Sequence, residues 1–208
     1  MAVKVLDYPA LVHKVNLIRD RNAPPQILRA LLEEVTLMAM SYITEDFPKK
    51  EQIIETPMGT GTFTLIQEDS VVFVCILRAG LPMLQGALRA LPKARVGFLA
   101  MKRDEESLLP NLYYKRFPEL ASKWVLFLDP MLATGGTLIM AIEQIKAMKP
   151  ERILSLNLVA SPQGLEKVMS SHPDVDFFVI RLDEGLNSKG YIVPGVGDIG
   201  DRLFTEYP

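Results

Sequence analysis

Cysteine is almost missing from this chain: Cys75 is the single one among 208 residues. An intrachain disulfide is therefore impossible, and a cysteine-based metal site is nearly excluded. An excess of either charge is missing too, since 23 basic residues stand against 25 acidic ones for a formal net charge of −2. That balance offers nothing to drive nonspecific binding to nucleic acid or to a membrane surface, so neither is expected as a partner. A local basic pocket is still compatible with it. No apolar run approaches the length needed to span a bilayer, and Met1 to Asp7 lacks the charged-then-apolar pattern of a signal peptide. A cytoplasmic location is the resulting expectation. No internal repeat, low-complexity tract or Pro/Gly/Ser linker divides the chain.

What is present is an ordinary globular composition, 49% hydrophobic and 23% charged, which excludes intrinsic disorder. The length suits one domain with a sizeable core, or at most two small ones. With no linker in sight, residues 1–208 are expected to form a single domain.

The first part of the chain reads helical. Leu28, Leu31, Leu32, Val35, Leu37 and Met38 recur near helical spacing after Pro24-Pro25, and proline suits a helix start. Leu11, Val15 and Ile18 predict a short amphipathic helix before it. From Val71 the pattern changes. Val71 to Leu77 is a continuous apolar run rich in β-branched residues, the mark of a strand buried on both faces. A helix-like stretch (Leu81 to Leu91) and an apolar segment (Val96 to Met101) follow, then a long polar stretch (Arg103 to Lys123). Beyond it come a strand (Trp124 to Leu128), a helix (Thr137 to Met148), a strand (Ile153 to Ala160), a helix (Gly164 to Ser171) and a strand (Phe177 to Leu182). This alternation predicts an α/β fold with a mostly parallel central sheet flanked by helices. Ligands in such folds bind beyond the carboxyl ends of the strands, so the loops after residues 77, 102, 128 and 182 matter most.

The loop after the Trp124 strand reads Asp129-Pro130-Met131-Leu132-Ala133-Thr134-Gly135-Gly136-Thr137. Its glycines let backbone N–H groups approach an anion, Thr134 and Thr137 add hydroxyl donors, and the following helix start favours negative charge. Asp129 suits hydrogen bonds from sugar hydroxyls, or the water shell of a metal. Together these features call for a phosphorylated sugar. A plain strand–helix turn with threonine as N-cap uses the same residues and remains open. The loop is not that of a nucleoside triphosphatase, because no lysine follows Gly136. Residues 195–200 spell a literal G-x-G-x-x-G, but only eight residues follow, too few for a dinucleotide-binding unit. A glycine-rich loop with another purpose is expected there.

Leu77-Arg78-Ala79-Gly80 places a guanidinium and two small residues at a strand end, which suits a second anion; a surface arginine before a turn is the alternative. Arg103 stands where it could close over a polyphosphate, while its charged neighbours read as a solvated face. His13 and His172 read as surface or helix-end residues and Cys75 as a buried small hydrophobe. The ten methionines read as core or interface filler.

The Asp129–Thr137 loop resembles the phosphoribosyl-pyrophosphate (PRPP) motif of the uracil phosphoribosyltransferases. Tyr191-Ile192-Val193-Pro194-Gly195-Val196-Gly197-Asp198-Ile199-Gly200-Asp201-Arg202-Leu203-Phe204 resembles that family's uracil-binding segment. Ile76 to Leu81 resembles its pyrophosphate loop, Arg103 to Glu106 its flexible-loop start, and Leu17 to Asp20 its N-terminal segment. The resemblance runs in order over nearly the whole chain. It implies a phosphoribosyltransferase-like fold with an N-terminal helical segment, a long flexible loop or hairpin and a C-terminal base-binding hood. The implied reaction joins uracil and PRPP into uridine monophosphate (UMP) and pyrophosphate, in pyrimidine salvage.

Carried over by position, Asp129 faces the ribose hydroxyls and Ala133 to Thr137 hold the 5′-phosphate, within a PRPP loop that also includes Pro130, Met131 and Leu132. Arg78 and Arg103 hold pyrophosphate. Asp198 organises the PRPP–magnesium end beside the uracil, whose edge is read by the backbone of Ile192, Gly197 and Ile199. Tyr191 takes no chemical step. Mg²⁺ is the implied cofactor, held mainly by PRPP and water, which fits the lack of a dense ligand cluster. A homodimer or higher homo-oligomer is implied, and GTP activates some members. The chain departs from the family at Cys75, Pro82, Lys102, Ile199 and Phe204-Thr205-Glu206, which bears on rate and activation more than on substrate class. Two other outcomes stay open: a PRPP- or nucleotide-sensing regulator without turnover, and a phosphoribosyltransferase for another base.

Overall fold

The computed structural model describes residues 3–103 and 110–205. Its centre is an eight-stranded sheet of β1 (Val3–Val5), β4 (Val71–Leu77), β5 (Arg95–Arg103), β6 (Pro110–Arg116), β7 (Trp124–Leu128), β8 (Met131–Leu132), β9 (Arg152–Ala160) and β10 (Val175–Leu182). The strand order is β1-β10-β9-β7-β4-β5-β6, with the short β8 also paired to β9. All pairings are parallel except β5 with β6. The mostly parallel sheet is therefore as the alternation predicts. Apart from the last residue of β4, strands β4 and β7 are buried throughout, which is why they read as unbroken apolar runs.

Six helices lie among the described residues: α1 (Pro9–Arg19), α2 (Pro25–Ile43), α3 (Leu81–Ala90), α4 (Gly136–Lys146), α5 (Pro162–Ser171) and α6 (Ile199–Phe204). Leu11, Val15 and Ile18 of α1 and the Leu28 to Ile43 stripe of α2 bury their apolar faces, as helical spacing requires. These helices and α3 cover one face of the sheet with Phe73, Cys75 and Phe178. The other face packs α4 and α5 against Val72, Val74, Phe127 and Phe177. Alternate residues of one strand thus enter two separate cores.

Four strands of three residues or more escape the sequence pattern. β1 is three residues long and pairs with β10. β2 (Lys49–Thr56) and β3 (Gly59–Ile66) form a separate antiparallel hairpin with no buried residue. Without a buried face it has no in–out alternation to read. The polar stretch from Arg103 also contains β6, an edge strand whose Tyr113 and Tyr114 are exposed.

Candidate active site

The connection from β4 through α3 leads to β5 on one side, whereas that from β7 through α4 leads to β9 on the other. The carboxyl ends of β4 and β7 thus flank the point where the chain winds in opposite directions, the usual place for a ligand crevice in an open parallel sheet. The two loops touch. A Cβ on Gly80 would come within 2.4 Å of the Leu128 carbonyl oxygen, so only glycine lets the Arg78 loop lie against the end of β7. Arg78 is exposed and follows a cis Leu77–Arg78 peptide bond. Pro82 sits in the first turn of α3, where its missing N–H removes no helix hydrogen bond.

Asp129 is 7% exposed, and its side chain accepts a 3.3 Å hydrogen bond from the Met131 N–H. Burial pushes its carboxyl up to about 7, against the smaller lowering by that N–H. Its backbone is held as well: the carbonyl accepts from the Asn157 amide at 2.8 Å, and Asn157 Oδ1 accepts from Ser155 at 2.9 Å. Asn157 and Ser155 are fully buried on β9, and their sequence signal was two polar residues inside an apolar strand. Cys75 lies nearby, with burial pushing its thiol up to about 12 and the Asp129 charge adding to it. It is thus the buried small hydrophobe expected.

Pro130 is buried, Met131 and Leu132 form β8, and Ala133 to Gly135 lead into α4. The N-cap of α4 is Gly135 with φ 79°, not a threonine, and no side chain caps the helix. The threonine-capped turn is therefore not what forms. Thr134, Gly136 and Thr137 stay half-buried around an uncapped helix start, whose N–H groups favour an anion. Ser161 fastens this loop to α5, donating to the Ala133 carbonyl at 2.6 Å and accepting from the Gly164 N–H at 2.9 Å.

The C-terminal segment reaches the same crevice. β11 (Gly185–Leu186) pairs with β12 (Ile192–Val193), and α6 opens at Ile199, within the literal G-x-G-x-x-G. That stretch is therefore loop only through Asp198. Its six-residue helix follows a two-residue strand outside the main sheet, unlike a dinucleotide unit. Ile192 and Ile199 bury their side chains in the core, while Gly197 is exposed with φ 70°. Asp198 caps α6 by accepting from the Asp201 N–H at 3.0 Å. The Asp201 carboxylate accepts from Arg78 at 2.8 Å. A Cβ on Gly200 would lie 3.3 Å from Asp198 Oδ1 and 3.8 Å from Arg78 Nη2, so Arg78 and Asp198 share one neighbourhood.

Arg103 ends β5, beside β4 in the sheet, and residues 104–109 lie outside those described. No group of three or more metal-ligating side chains occurs among the described residues. His13 is exposed as expected. His172 does end α5, but it is only 6% exposed.

This arrangement defines a class: an α/β protein with a glycine-rich loop opening a helix, a buried carboxylate and an arginine at the switch point of its sheet. Comparisons with known proteins make the assignment narrower. The family model described as "Uracil phosphoribosyltransferase" matches residues 5–205, and the chain belongs to that family. A curated relative of that name from Aquifex aeolicus is 45% identical over 200 residues, 96% of each chain. Another from Halalkalibacterium halodurans is 44% identical over 203 residues, 97% of each. A solved structure of an Aquifex aeolicus protein superposes with a TM-score of 0.95 at 44% identity, covering 98% of both chains.

Proposed function

We propose that this chain transfers the phosphoribosyl group of PRPP to N1 of uracil, giving UMP and pyrophosphate in pyrimidine salvage. The observation that carries the reading is that the Arg78 loop lies against the end of β7, where the Asp129–Thr137 loop begins, and contacts Asp201 just past residues 191–200. In the reaction the C1′–oxygen bond to pyrophosphate breaks, the N1–C1′ bond forms and N1 loses its proton.

The catalytic and binding set is Arg78, Arg103, Asp129 and Asp198, with Pro130 to Thr137 around the PRPP phosphate. Asp129 accepts from the ribose hydroxyls, and their hydrogen bonds stabilise the anion that burial disfavours. Thr134, Thr137 and the uncapped N–H groups of α4 hold the 5′-phosphate. Arg78 and Arg103 stabilise the departing pyrophosphate. The site's sparse carboxylates suit Mg²⁺ carried on PRPP oxygens and water, with Asp198 at that end. When bound, it adds positive charge beside the leaving group. With their side chains in the core, Ile192 and Ile199 present backbone to the base, as do Gly197 and the peptide at Asp198. A fixed N–H facing uracil O4 would meet a donor in cytosine, and that mismatch discriminates against it.

The molecule works as a single domain, since Val3–Val5 and Val175–Leu182 share one sheet. It works in the cytoplasm as a homodimer or higher homo-oligomer, with the exposed β2–β3 hairpin as an arm. No described helix is long and apolar enough to cross a membrane. The test is UMP formation from uracil, PRPP and Mg²⁺, with cytosine and hypoxanthine as competitors and GTP absent or present. UMP formed selectively from uracil is expected, and a rise in rate with GTP marks GTP activation. Turnover of another base assigns a different specificity. PRPP binding without turnover of any base points to a sensor.

A further inference from the structure

We propose that the Arg19–Asp183 ion pair and Arg202 are positioning residues that set the backbone of the base-recognition segment. The inference rests on reading residues 191–200 as that segment. Little local structure defines it: β12 is two residues long, and Gly195 and Gly197 have φ of 63° and 70°. Its shape must come from elsewhere in the fold.

Arg19, in the last turn of α1, donates through Nη1 and Nη2 to the two oxygens of Asp183 at 2.8 and 2.7 Å. The same Nη1 donates to the Gly195 carbonyl at 2.7 Å, and Asp183 Oδ2 accepts from the Gly195 N–H at 2.9 Å. One ion pair thus holds both backbone groups of Gly195. Glycine is required there, because a Cβ would fall 2.1 Å from the Ile192 carbonyl oxygen. Arg202, only 4% exposed, adds the next link. Its Nη1 donates to the carbonyls of Val196 at 2.6 Å and Ile18 at 2.8 Å, and its Nη2 to that of Asp20 at 2.5 Å. Gly195 and Val196 are therefore both tied to the end of α1, immediately before Gly197.

The Arg19 and Asp183 side chains are 19% and 4% exposed, so solvent screens the pair weakly. A guanidinium fork fixes direction as well as distance, which lysine does not reproduce. Recognition through backbone groups depends on that placement, since an error of about 1 Å can cost on the order of a hundredfold in rate. None of these contacts involves the Asp129–Thr137 loop. Loosening them acts on the base and spares PRPP.

The experiment compares wild type with Arg19→Lys and Asp183→Asn. It reads KM for each substrate, kcat, and amide hydrogen exchange at Gly195 to Gly197 against Ala133 to Thr137. Expected are a rise in KM for uracil of about tenfold or more, a KM for PRPP within about twofold, and faster exchange only at Gly195 to Gly197. Unchanged KM for uracil and unchanged exchange overturn the proposal. So does a parallel loss for both substrates with faster exchange in both loops, which marks general loosening. If Asp183→Asn does not fold, Arg19→Lys carries the comparison. A wild type inactive on uracil defeats the reading of the function, and the exchange pattern still decides the clamp.

Discussion

Asp129 carries a carboxyl that its surroundings disfavour as an anion, with a pKa raised from 3.8 to about 7 by burial. Between those values the folded protein binds more protons than the unfolded chain, so stability falls as pH rises through the window. Asp129→Asn removes that penalty. The unliganded variant should gain on the order of 4 kcal/mol at pH 8 and almost nothing at pH 3.5, measured by urea unfolding. The same change should lower UMP formation by roughly a hundredfold, because the amide replaces an anionic acceptor. A variant destabilised at pH 8 would refute the burial argument. His172 behaves in the opposite sense. Burial, then the Lys146 ammonium, lowers its pKa from 6.5, against weaker pulls from the Ile139 backbone, Asp174 and Glu143. The unfolded chain therefore takes up the proton first, and stability falls as pH drops below about 6.5. His172→Leu should flatten that acid dependence, read from melting curves at pH 7.5 and 5.5. An unaltered pH profile would count against it.

At the scale of elements, the anion loop is shaped by what packs behind it. Helix α5 presses on it at Gly164, where a Cβ would fall 2.0 Å from the Ala133 carbonyl oxygen. That oxygen is also the acceptor for Ser161, the N-cap of α5. Gly164→Ala must push helix and loop apart, costing about 1–3 kcal/mol. KM for PRPP should rise while KM for uracil changes less, because the 191–200 segment is anchored on α1. Steady-state kinetics with each substrate varied checks this, and equal effects on both substrates would contradict it. The loop motif was legible before the fold because its glycines, threonines and carboxylate are consecutive. The helix cap was not. Gly135 takes that role only because its positive φ turns the chain into α4.

At the scale of the molecule, the β2–β3 hairpin is the part the fold leaves unexplained. It stands apart from the main sheet, with Ile53 at 73% and Met58 at 95% exposure. A lone two-stranded hairpin is marginal in water, and the proposed homo-oligomer would supply a second copy for it to pack against. Ile53→Lys with Met58→Lys should convert the assembly from at least twice the 23.3 kDa chain mass to the monomer, by light scattering on a sizing column. A wild-type monomer would dispose of the arm, and an unshifted double variant would move the interface elsewhere.

The sequence by itself determined the α/β order, the buried strands β4 and β7, the anion loop and the family. Those features rest on apolar periodicity and on runs of adjacent residues, which are local properties. β2 and β3 were hidden because neither face is buried, and β6 because it is an exposed edge within a polar stretch. His172 was legible as a helix end, but only the packing of α5 makes it buried. Tertiary structure alone decided the pairs that hold the site. Arg19 meets Asp183 across 164 residues, Arg78 meets Asp201 across 123, and Asn157 reaches the Asp129 carbonyl across 28. A charge or amide has no preferred partner along the chain. Its partner is whichever group the fold brings beside it, and for the buried Arg19–Asp183 and Asn157–Asp129 contacts the loss of water as the alternative secures the choice.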